Sequence, residues 1–535
     1  MSEISPPINP PKNILNLRAL WPYPRATVHA GSESDSDSEN RLVRCQLEES
    51  SDNIYSQTNF TSRGHSWRSI QCHKAIPYNI HCSVCGILML PLVGLFCECC
   101  AASACKRCCR IVDKKLRCKT ITWPRDKIFQ HHWVNVGTIR TDSSDNDDGL
   151  KKFFCSWCQR TKLCTYSALE PEECNFLKYR DIIIPPYCIQ VEKGIIAKVK
   201  PLAEDNWIPL IIFANPKSGS NRSDEILSLF RGLLNPLQVV DLSRTAPETV
   251  VRWLPSRCRV LAVGGDGTVA WILNSLLSAT HVRASVAIMP MGTGNDLSRV
   301  LGWGSGSDTH LDAHSIINTI KQADEQLLDR WKVTIAPRPG RLGRPRPKRV
   351  VYAYNYVSIG VDAQVALDFH YARAQFLYRY ASRTLNFVAY AFLGAGRALD
   401  DGGCCGLEKR LRVRVDHACV PLDLPPLQAL VVLNIPSWGA GVDLWSMGDK
   451  YEVEEQSISD EKLEVVGISS SFHIARLQCG LAEPYRFTQA SRVKIELDGS
   501  SAMQVDGEPW MQGPATIHIE HAGQCCMLRS TNSLN

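Results

Sequence analysis

Three glycine-rich turns stand where a chain would handle phosphate. Asn215-Pro-Lys-Ser-Gly-Ser220, Gly264-Gly-Asp-Gly-Thr268 and Gly292-Thr-Gly-Asn-Asp296 each follow an apolar run that reads as a strand. Glycine at the carboxyl end of a parallel strand carries no Cβ, so main-chain N–H groups approach a phosphate closely. Helices expected to start after Thr268 and after Asp296 would turn their positive ends to the same place. One such turn alone is a strand-to-helix connection. Three in order, two of them with an aspartate, point to a phosphate-bearing ligand. Neither a G-x-x-x-x-G-K-[ST] loop nor a G-x-G-x-x-G loop paired with H-R-D occurs, which excludes the P-loop and protein-kinase forms of that chemistry.

The second chemistry is metal ligation. Of 23 cysteines, fourteen lie from Cys72 to Cys174 and eight follow. The odd total and a start, Met-Ser-Glu-Ile-Ser-Pro-Pro, without a secretory pattern argue for metal-bound thiolates in a reducing cytosol rather than disulfides. His65, then Cys82, Cys85, Cys97, Cys100, Cys105, Cys108 and Cys118 supply eight ligands, enough for two closed tetrahedral zinc sites. Bound metal would also explain how about 55 residues fold around a small core. A second unit opens alike, His131-His-Trp133 matching His65-Ser-Trp67. It then crosses the acidic stretch 141–149 without a C-x-x-C pair and reaches Cys155, Cys158 and Cys174, with Cys164 out of register. One site (His131, Cys155, Cys158, Cys174) is expected there, so three zinc ions in all rather than four.

The elements that must position the turns follow. Ile208-Pro-Leu-Ile-Ile-Phe213, Leu237-Gln-Val-Val-Asp241, Arg259-Val-Leu-Ala-Val263 and Ser285-Val-Ala-Ile-Met289 alternate with helical stretches, which predicts a parallel sheet covered on both faces. Beyond a Pro/Arg-rich segment at 337–349, runs such as Leu411-Arg-Val-Arg-Val415, Arg492-Val-Lys-Ile-Glu-Leu497 and Ala515-Thr-Ile-His-Ile-Glu520 have a period near two and predict a mostly antiparallel sandwich. A helical insertion is expected at about 371–399. Residues 1–60, with Ser32-Glu-Ser-Asp-Ser-Asp-Ser-Glu39, read as a disordered tail. The expected layout is thus multi-domain. A finger at 61–122 and a second, degenerate one at 127–186 precede an α/β nucleotide-binding domain at 207–336. A basic linker at 337–349 leads to a β-sandwich domain at 350–525.

Composition narrows the partners. Apolar residues make up 44% and charged residues 21%, so the chain is not mostly disordered. A net charge of +6 over 60 basic and 54 acidic residues does not indicate a nucleic-acid partner. The longest apolar runs, about a dozen residues at 86–97 and 384–396, fall short of the roughly 18 a spanning helix needs, so membrane contact is expected to be peripheral.

At the turns the chain resembles the diacylglycerol kinase family, within the wider group of lipid and NAD kinases that share a G-G-D-G-T loop. The likeness extends over about 210–520 and includes Asn355-Tyr-Val-Ser-Ile-Gly-Val-Asp362, Asn434-Ile-Pro-Ser-Trp-Gly-Ala-Gly441 and Val505-Asp-Gly-Glu-Pro-Trp510. The cysteine units resemble diacylglycerol-type zinc fingers, and two of them directly before the catalytic region resemble the epsilon type. The finger resemblance implies one zinc on His65, Cys97, Cys100 and Cys118, and another on Cys82, Cys85, Cys105 and Cys108. Cys105 stands where that family usually has a histidine. Val93 stands before Gly94 where lipid-binding members carry Gln-Gly, which favours a structural role for this finger.

The resemblance further implies a division of labour. Gly264, Gly265, Gly267 and Thr268, with Gly292, Thr293, Gly294 and Asn295, would cradle the phosphates of ATP, closed over by Asn215 and Lys217. Asp266 would be the key carboxylate of its loop. Asp296 and Asp506 would stand at Mg²⁺, Asp506 through water, and Glu508 would take the proton from the lipid hydroxyl. The activity implied is ATP-dependent phosphorylation of diacylglycerol to phosphatidic acid, by a cytoplasmic protein meeting diacylglycerol in membranes and, through the basic linker, anionic phospholipids. Two alternatives stay open: a related lipid kinase acting on a sphingoid base or ceramide, and a catalytically inactive diacylglycerol sensor or scaffold.

Overall fold

A computed structural model describes residues 64–69, 80–89, 94–138, 150–169, 171–216, 223–306, 312–339, 346–375, 405–416, 418–448 and 454–531. All lie in one compact unit, Ser50–Asn535. The acidic tail, the stretch 141–149, Lys217, most of the helical insertion and the middle of the basic linker fall outside these residues.

Each finger is a small three-stranded antiparallel sheet: β1 (Trp67–Ser69), β2 (Gly94–Cys97) and β3 (Ser103–Cys105), then β4 (Trp133–Thr138), β5 (Lys151–Cys155) and β6 (Thr161–Cys164). A hairpin, β7 (Ile189–Glu192) and β8 (Ile195–Val199), leads to the α/β lobe. There β9 (Leu210–Ala214), β10 (Val239–Asp241), β11 (Arg257–Gly264) and β12 (Arg283–Pro290) are parallel in the order β10-β9-β11-β12. All five residues of β9 are buried, as continuous apolar strands covered on both faces must be. The covering helices are α1 (Ser223–Leu233), α2 (Asp266–Ser278), α3 (Asp296–Val300) and α4 (Ala313–Gln322). Asp312 caps α4, its carboxylate accepting from the His314 and Ser315 N–H groups. Helix α2 starts at Asp266, three residues before the sequence expectation, with Gly265 as its N-cap.

The two lobes are not joined by a linker alone. Strand β13 (Asp324–Pro337) pairs antiparallel along nearly its whole length with the last strand, Ala515–Arg529, whose far end runs parallel to β12 at Val286↔Met527. The near half of that last strand pairs with Arg492–Leu497. One fifteen-residue strand therefore knits the parallel sheet to the antiparallel part, and nine strands form a single sheet. The edge at 336 expected from the sequence lies inside β13.

The second sheet has six antiparallel strands, including β14 (Tyr356–Gly360), β15 (Ala429–Leu433), β16 (Leu463–Ile468), β17 (Ser501–Val505) and β18 (Glu508–Gln512). Trp331, Val333, Ile517 and Ile519 from the large sheet pack on Val357, Ile359, Val432 and Val465 from the small one, the sandwich the period-two runs imply. Helix α5 (Val361–Gln375) follows β14 and begins ten residues ahead of the insertion expected from the sequence. A separate apolar core runs without a break from the second finger (Cys155, Trp157, Phe176) into the parallel sheet (Ile211, Val263). Among the described residues no helix is long and apolar enough to cross a membrane.

Candidate active site

The second and third glycine turns meet at the carboxyl ends of β11 and β12, and Asn215 stands beside them at the end of β9. A Cβ on Gly292 would lie 2.8 Å from the Gly265 Cα, so the second and third turns touch through bare main chain. A Cβ on Gly264 would lie 2.6 Å from the Thr268 side chain. That side chain is thereby free to pack inward, and its Oγ1 accepts from Asn215 Nδ2 at 3.0 Å, tying in the first turn. Asn295 adopts a left-handed conformation (φ 53°). Its Oδ1 accepts from the Gly292 N–H at 3.0 Å and its Nδ2 donates to the carbonyls of Gly292 (2.8 Å) and Ser305 (2.9 Å). Thr293 and Gly294 line the cleft beside it.

Three carboxylates sit behind these turns, Asp296 and Asp506 buried and Asp266 half-buried, each held by a different part of the chain. Asp266 accepts from the N–H groups of Asp296 and Leu297, both at 3.3 Å, and from Asn355 Nδ2 at 3.1 Å. Asp296 Oδ1 accepts from Ser437 Oγ at 2.6 Å and from the Ala440 and Gly441 N–H groups at 3.0 Å. Residues 439–441 all have positive φ, which turns successive N–H groups inward as an anion-binding nest. Asp506 and Gly507 (φ 50° and 81°) form the two-residue turn between β17 and β18, the Asp-Gly signature of a type I′ hairpin. The Asp506 carboxylate accepts from the N–H groups of Tyr354 and Asn355 at 2.8 Å and of Tyr356 at 3.0 Å.

Burial dominates their electrostatics. It raises the Asp266 carboxyl above its ordinary range. Asp506 is pushed up to about 7 by burial. Burial, followed by the charge of Asp266, pushes Asp296 up to about 6. Carboxylates crowded together out of water resist ionising unless a cation joins them. The Asn355 Oδ1 atom in the same cluster is buried with no hydrogen-bond donor. Hard oxygen donors of this kind, with an oxygen still open, fit a divalent ion such as Mg²⁺.

Glu508 differs from the three: it is exposed at the start of β18. A Cβ on Gly267 would lie 2.8 Å from its Oε1, so the β17–β18 hairpin brings a carboxylate directly over the second turn. Together these groups line a cleft of about 520 Å³ whose far wall is the Phe369 and His370 face of α5, with Gln504 between.

Among the described residues the fingers hold three groups of cysteine and histidine whose ligand atoms lie within 4.8 Å of one another: His65, Cys97, Cys100, Cys118; Cys82, Cys85, Cys105, Cys108; and His131, Cys155, Cys158, Cys174. Cys164 belongs to none of them. Sulfur pairs 3.8 Å apart, Cys97–Cys118 and Cys85–Cys105, span the edge of a tetrahedron with metal–sulfur bonds of about 2.3 Å. The donor sets therefore fit a tetrahedral metal.

The fingers are also packed against the α/β lobe. Glu98, buried in the first finger, pairs with Arg231 Nη1 of α1 at 3.0 Å and with Arg68. Lys119 is fully buried, its ammonium 4.4 Å from the Trp157 ring centroid of the second finger.

Reading the sequence assigned no role to Asn355, Ser437 or Lys119. The first two stand inside motifs that drew notice, but their partners are distant in the chain and no local pattern announces them.

Comparison with known proteins bears on both lobes. The family model described as "Diacylglycerol kinase catalytic domain" matches residues 209–327, and "Diacylglycerol kinase accessory domain" matches 352–509. "Diacylglycerol kinase theta" of Homo sapiens is 38% identical over 326 residues, 59% of this chain and 34% of that one. "Diacylglycerol kinase 1" of Arabidopsis thaliana is 40% identical over 332 residues, 60% of this chain and 44% of that one. "Probable diacylglycerol kinase 3" of Caenorhabditis elegans is 30% identical over 521 residues, 87% of this chain and 64% of that one. The chain thus spans about a third to two thirds of the length of these relatives.

Proposed function

The chain belongs to the diacylglycerol kinase family, and from that premise we propose that it transfers the γ-phosphoryl group of ATP to the free hydroxyl of 1,2-diacylglycerol, giving phosphatidic acid and ending a diacylglycerol signal. The observation that carries the reading is the convergence of Gly265, Gly267 and Gly292 with Asp266, Asp296, Asp506 and Glu508 on one cleft. Phosphoryl transfer asks chiefly for positioning and charge neutralisation, and both are supported here. The turns around Gly264, Gly265, Gly267, Thr268 and Gly292 to Asn295, with the start of α2, offer main-chain N–H groups and a helix dipole to the nucleotide phosphates. Asn215 steadies Thr268, and Lys217 is proposed to close over the phosphates from the same turn.

Mg²⁺, when bound, would neutralise charge on the phosphates. Asp296 and Asp506 are proposed to hold it. With three N–H groups on its carboxylate, Asp506 has limited capacity left, which suits contact through water. Glu508 is proposed to take the hydroxyl proton as the lipid oxygen bonds to the γ-phosphorus and the bond to the bridging oxygen breaks, releasing ADP.

We further infer that the three Cys/His groups hold zinc, that the protein works in the cytoplasm at a membrane surface, and that anionic phospholipids meet its basic linker. The test is radiolabelled ATP with a panel of diacylglycerol, ceramide and sphingoid base in mixed micelles. Diacylglycerol should be the acceptor, and Glu508→Gln should lower kcat by roughly 10²–10⁴-fold with little change in KM for ATP. Gly265→Asp should abolish the reaction. Phosphorylation of only a sphingoid base or ceramide, or an unimpaired Gly265→Asp, would overturn the reading.

A further inference from the structure

Asn355 is 2% exposed and stands where three motifs distant in sequence meet. Its side-chain Nδ2 donates to Asp266 Oδ1 at 3.1 Å. Its main-chain N–H donates to Asp506 Oδ1 at 2.8 Å. Its carbonyl accepts from the Asn434 N–H at 2.9 Å. The amide orientation is forced, because an oxygen turned toward Asp266 would repel the carboxylate. That leaves Oδ1 on the other side of the amide, buried, in a residue lining the cleft, with no hydrogen-bond donor. A buried acceptor without a donor costs free energy, so its retention among three carboxylates calls for a ligand that brings hydrogen.

We propose that Asn355 is a positioning residue of the transfer site. Its NH₂ fixes the Asp266 carboxylate, and its Oδ1 accepts a hydrogen bond from the hydration shell of the divalent cation that accompanies the nucleotide. The assignment rests on the phosphoryl-transfer reading above. Mg²⁺ dehydrates reluctantly and keeps several waters, so a neutral acceptor beside carboxylates orients the shell without adding charge. Groups one step out from a metal commonly set its affinity and activity by about 10–100-fold.

The experiment uses the full chain, Mn²⁺ as the cation and a non-hydrolysable ATP analogue, with bound Mn²⁺ read by electron paramagnetic resonance. In parallel, kcat and KM for ATP are measured with diacylglycerol. Asn355→Leu keeps the main-chain bonds and the side-chain size but removes both amide functions. It should weaken Mn²⁺ in the nucleotide complex by about 10–100-fold and lower kcat, with KM for ATP within about threefold. Asn355→Asp keeps an oxygen facing the shell but sets a second carboxylate against Asp266. It should hold Mn²⁺ at least as tightly as the natural protein while kcat still falls. That split separates positioning from structural support, which would lower Mn²⁺ affinity and melting temperature together in both variants.

Wild-type Mn²⁺ affinity in Asn355→Leu overturns the proposal, as does a parallel loss in both variants. If Asn355→Leu does not fold, the Mn²⁺ affinity of Asn355→Asp decides alone, a loss overturning the proposal. Mn²⁺ binding needs no lipid. If the two variants split in Mn²⁺ affinity as expected while the natural protein leaves diacylglycerol unphosphorylated, the functional reading is overturned and this one stands.

Discussion

Lys119 Nζ donates to the main-chain carbonyl of Leu234 at 2.9 Å, a bond from the first finger to the end of the helix that follows the first glycine turn. The same ammonium reaches the carbonyls of Gly232 at 3.2 Å and Arg231 at 3.4 Å. The last carbonyls of a helix lack partners inside it, and a cation there also meets the negative end of the dipole. Burial pushes this ammonium down to about 8, so it is still charged at neutral pH. The fingers thus supply the C-terminal cap of α1.

Lys119→Met should remove that cap while keeping the apolar contact with Trp157. Three carbonyls lose their donor, and a net destabilisation of about 2 kcal/mol is expected. Hydrogen exchange should show the loss first at residues 230–235, with β9 and β11 as protected as before. Uniform loss of protection across the sheet would mean that Lys119 supports the fold generally and does not cap this helix.

Metal removal extends the same connection. Cys118 of the His65 group is the residue before Lys119, so emptying that site should free the cap as well as the finger. The purified chain should carry three zinc ions by mass spectrometry of its metal content, and Cys118→Ser should reduce the count to two. Chelation should melt the fingers and expose 230–235 to exchange together. A count of four would require ligands outside the three groups.

How far the sequence discloses this architecture depends on the range of each interaction. The glycine turns and the finger ligands recur at short spacings because a phosphate or a metal fixes distances over a few residues, so Gly264 to Thr268 and Cys97 to Cys100 announce themselves. Asp506 draws notice only through the family resemblance, because locally Asp506-Gly507 is an ordinary turn, and it is the turn that aims the carboxylate at Tyr354 to Tyr356. The contact of Asn355 with Asp266 spans 89 residues and that of Ser437 with Asp296 spans 141, and periodicity carries no information about such pairs. The same holds for the last strand. Its alternation at 515–520 predicts a strand, but not that its far end enters the parallel sheet beside β12. Lys119, a single lysine in a cysteine-rich stretch, has the profile of a solvated side chain until its helix partner is known.

The glycines of the turns should differ sharply in tolerance. At Gly292 an added Cβ meets the Gly265 Cα at 2.8 Å, main chain against main chain, whereas at Gly267 it meets the Glu508 carboxylate, the far end of a movable side chain. Gly292→Ala should separate the two turns and raise KM for ATP by at least about tenfold. Gly267→Ala should leave KM for ATP within about threefold and lower kcat, because it displaces Glu508 alone. Equal effects of the two on KM would show that the turns do not act as one cradle.

Stability should carry the mark of a buried carboxyl far from the cleft. Glu464 of β16 is wholly buried, and burial pushes its carboxyl up to about 8. Its partners are amides: Gln489 Nε2 donates at 3.0 Å and Gln456 Nε2 donates as well, while Gln456 Oε1 has no donor. In the unfolded chain the same group ionises near its ordinary value of 4.5. Between the two values the unfolded state binds fewer protons than the folded state, so this group's contribution to stability falls as pH rises from about 4.5 to about 8 and is level above that. Glu464→Gln removes the titration and offers an NH₂ to the Gln456 oxygen. Its melting temperature should exceed that of the natural protein by roughly 3–6 °C at pH 8, with the gap closing toward pH 5. A gap that widened toward acid would mean that Glu464 is ionised in the folded protein.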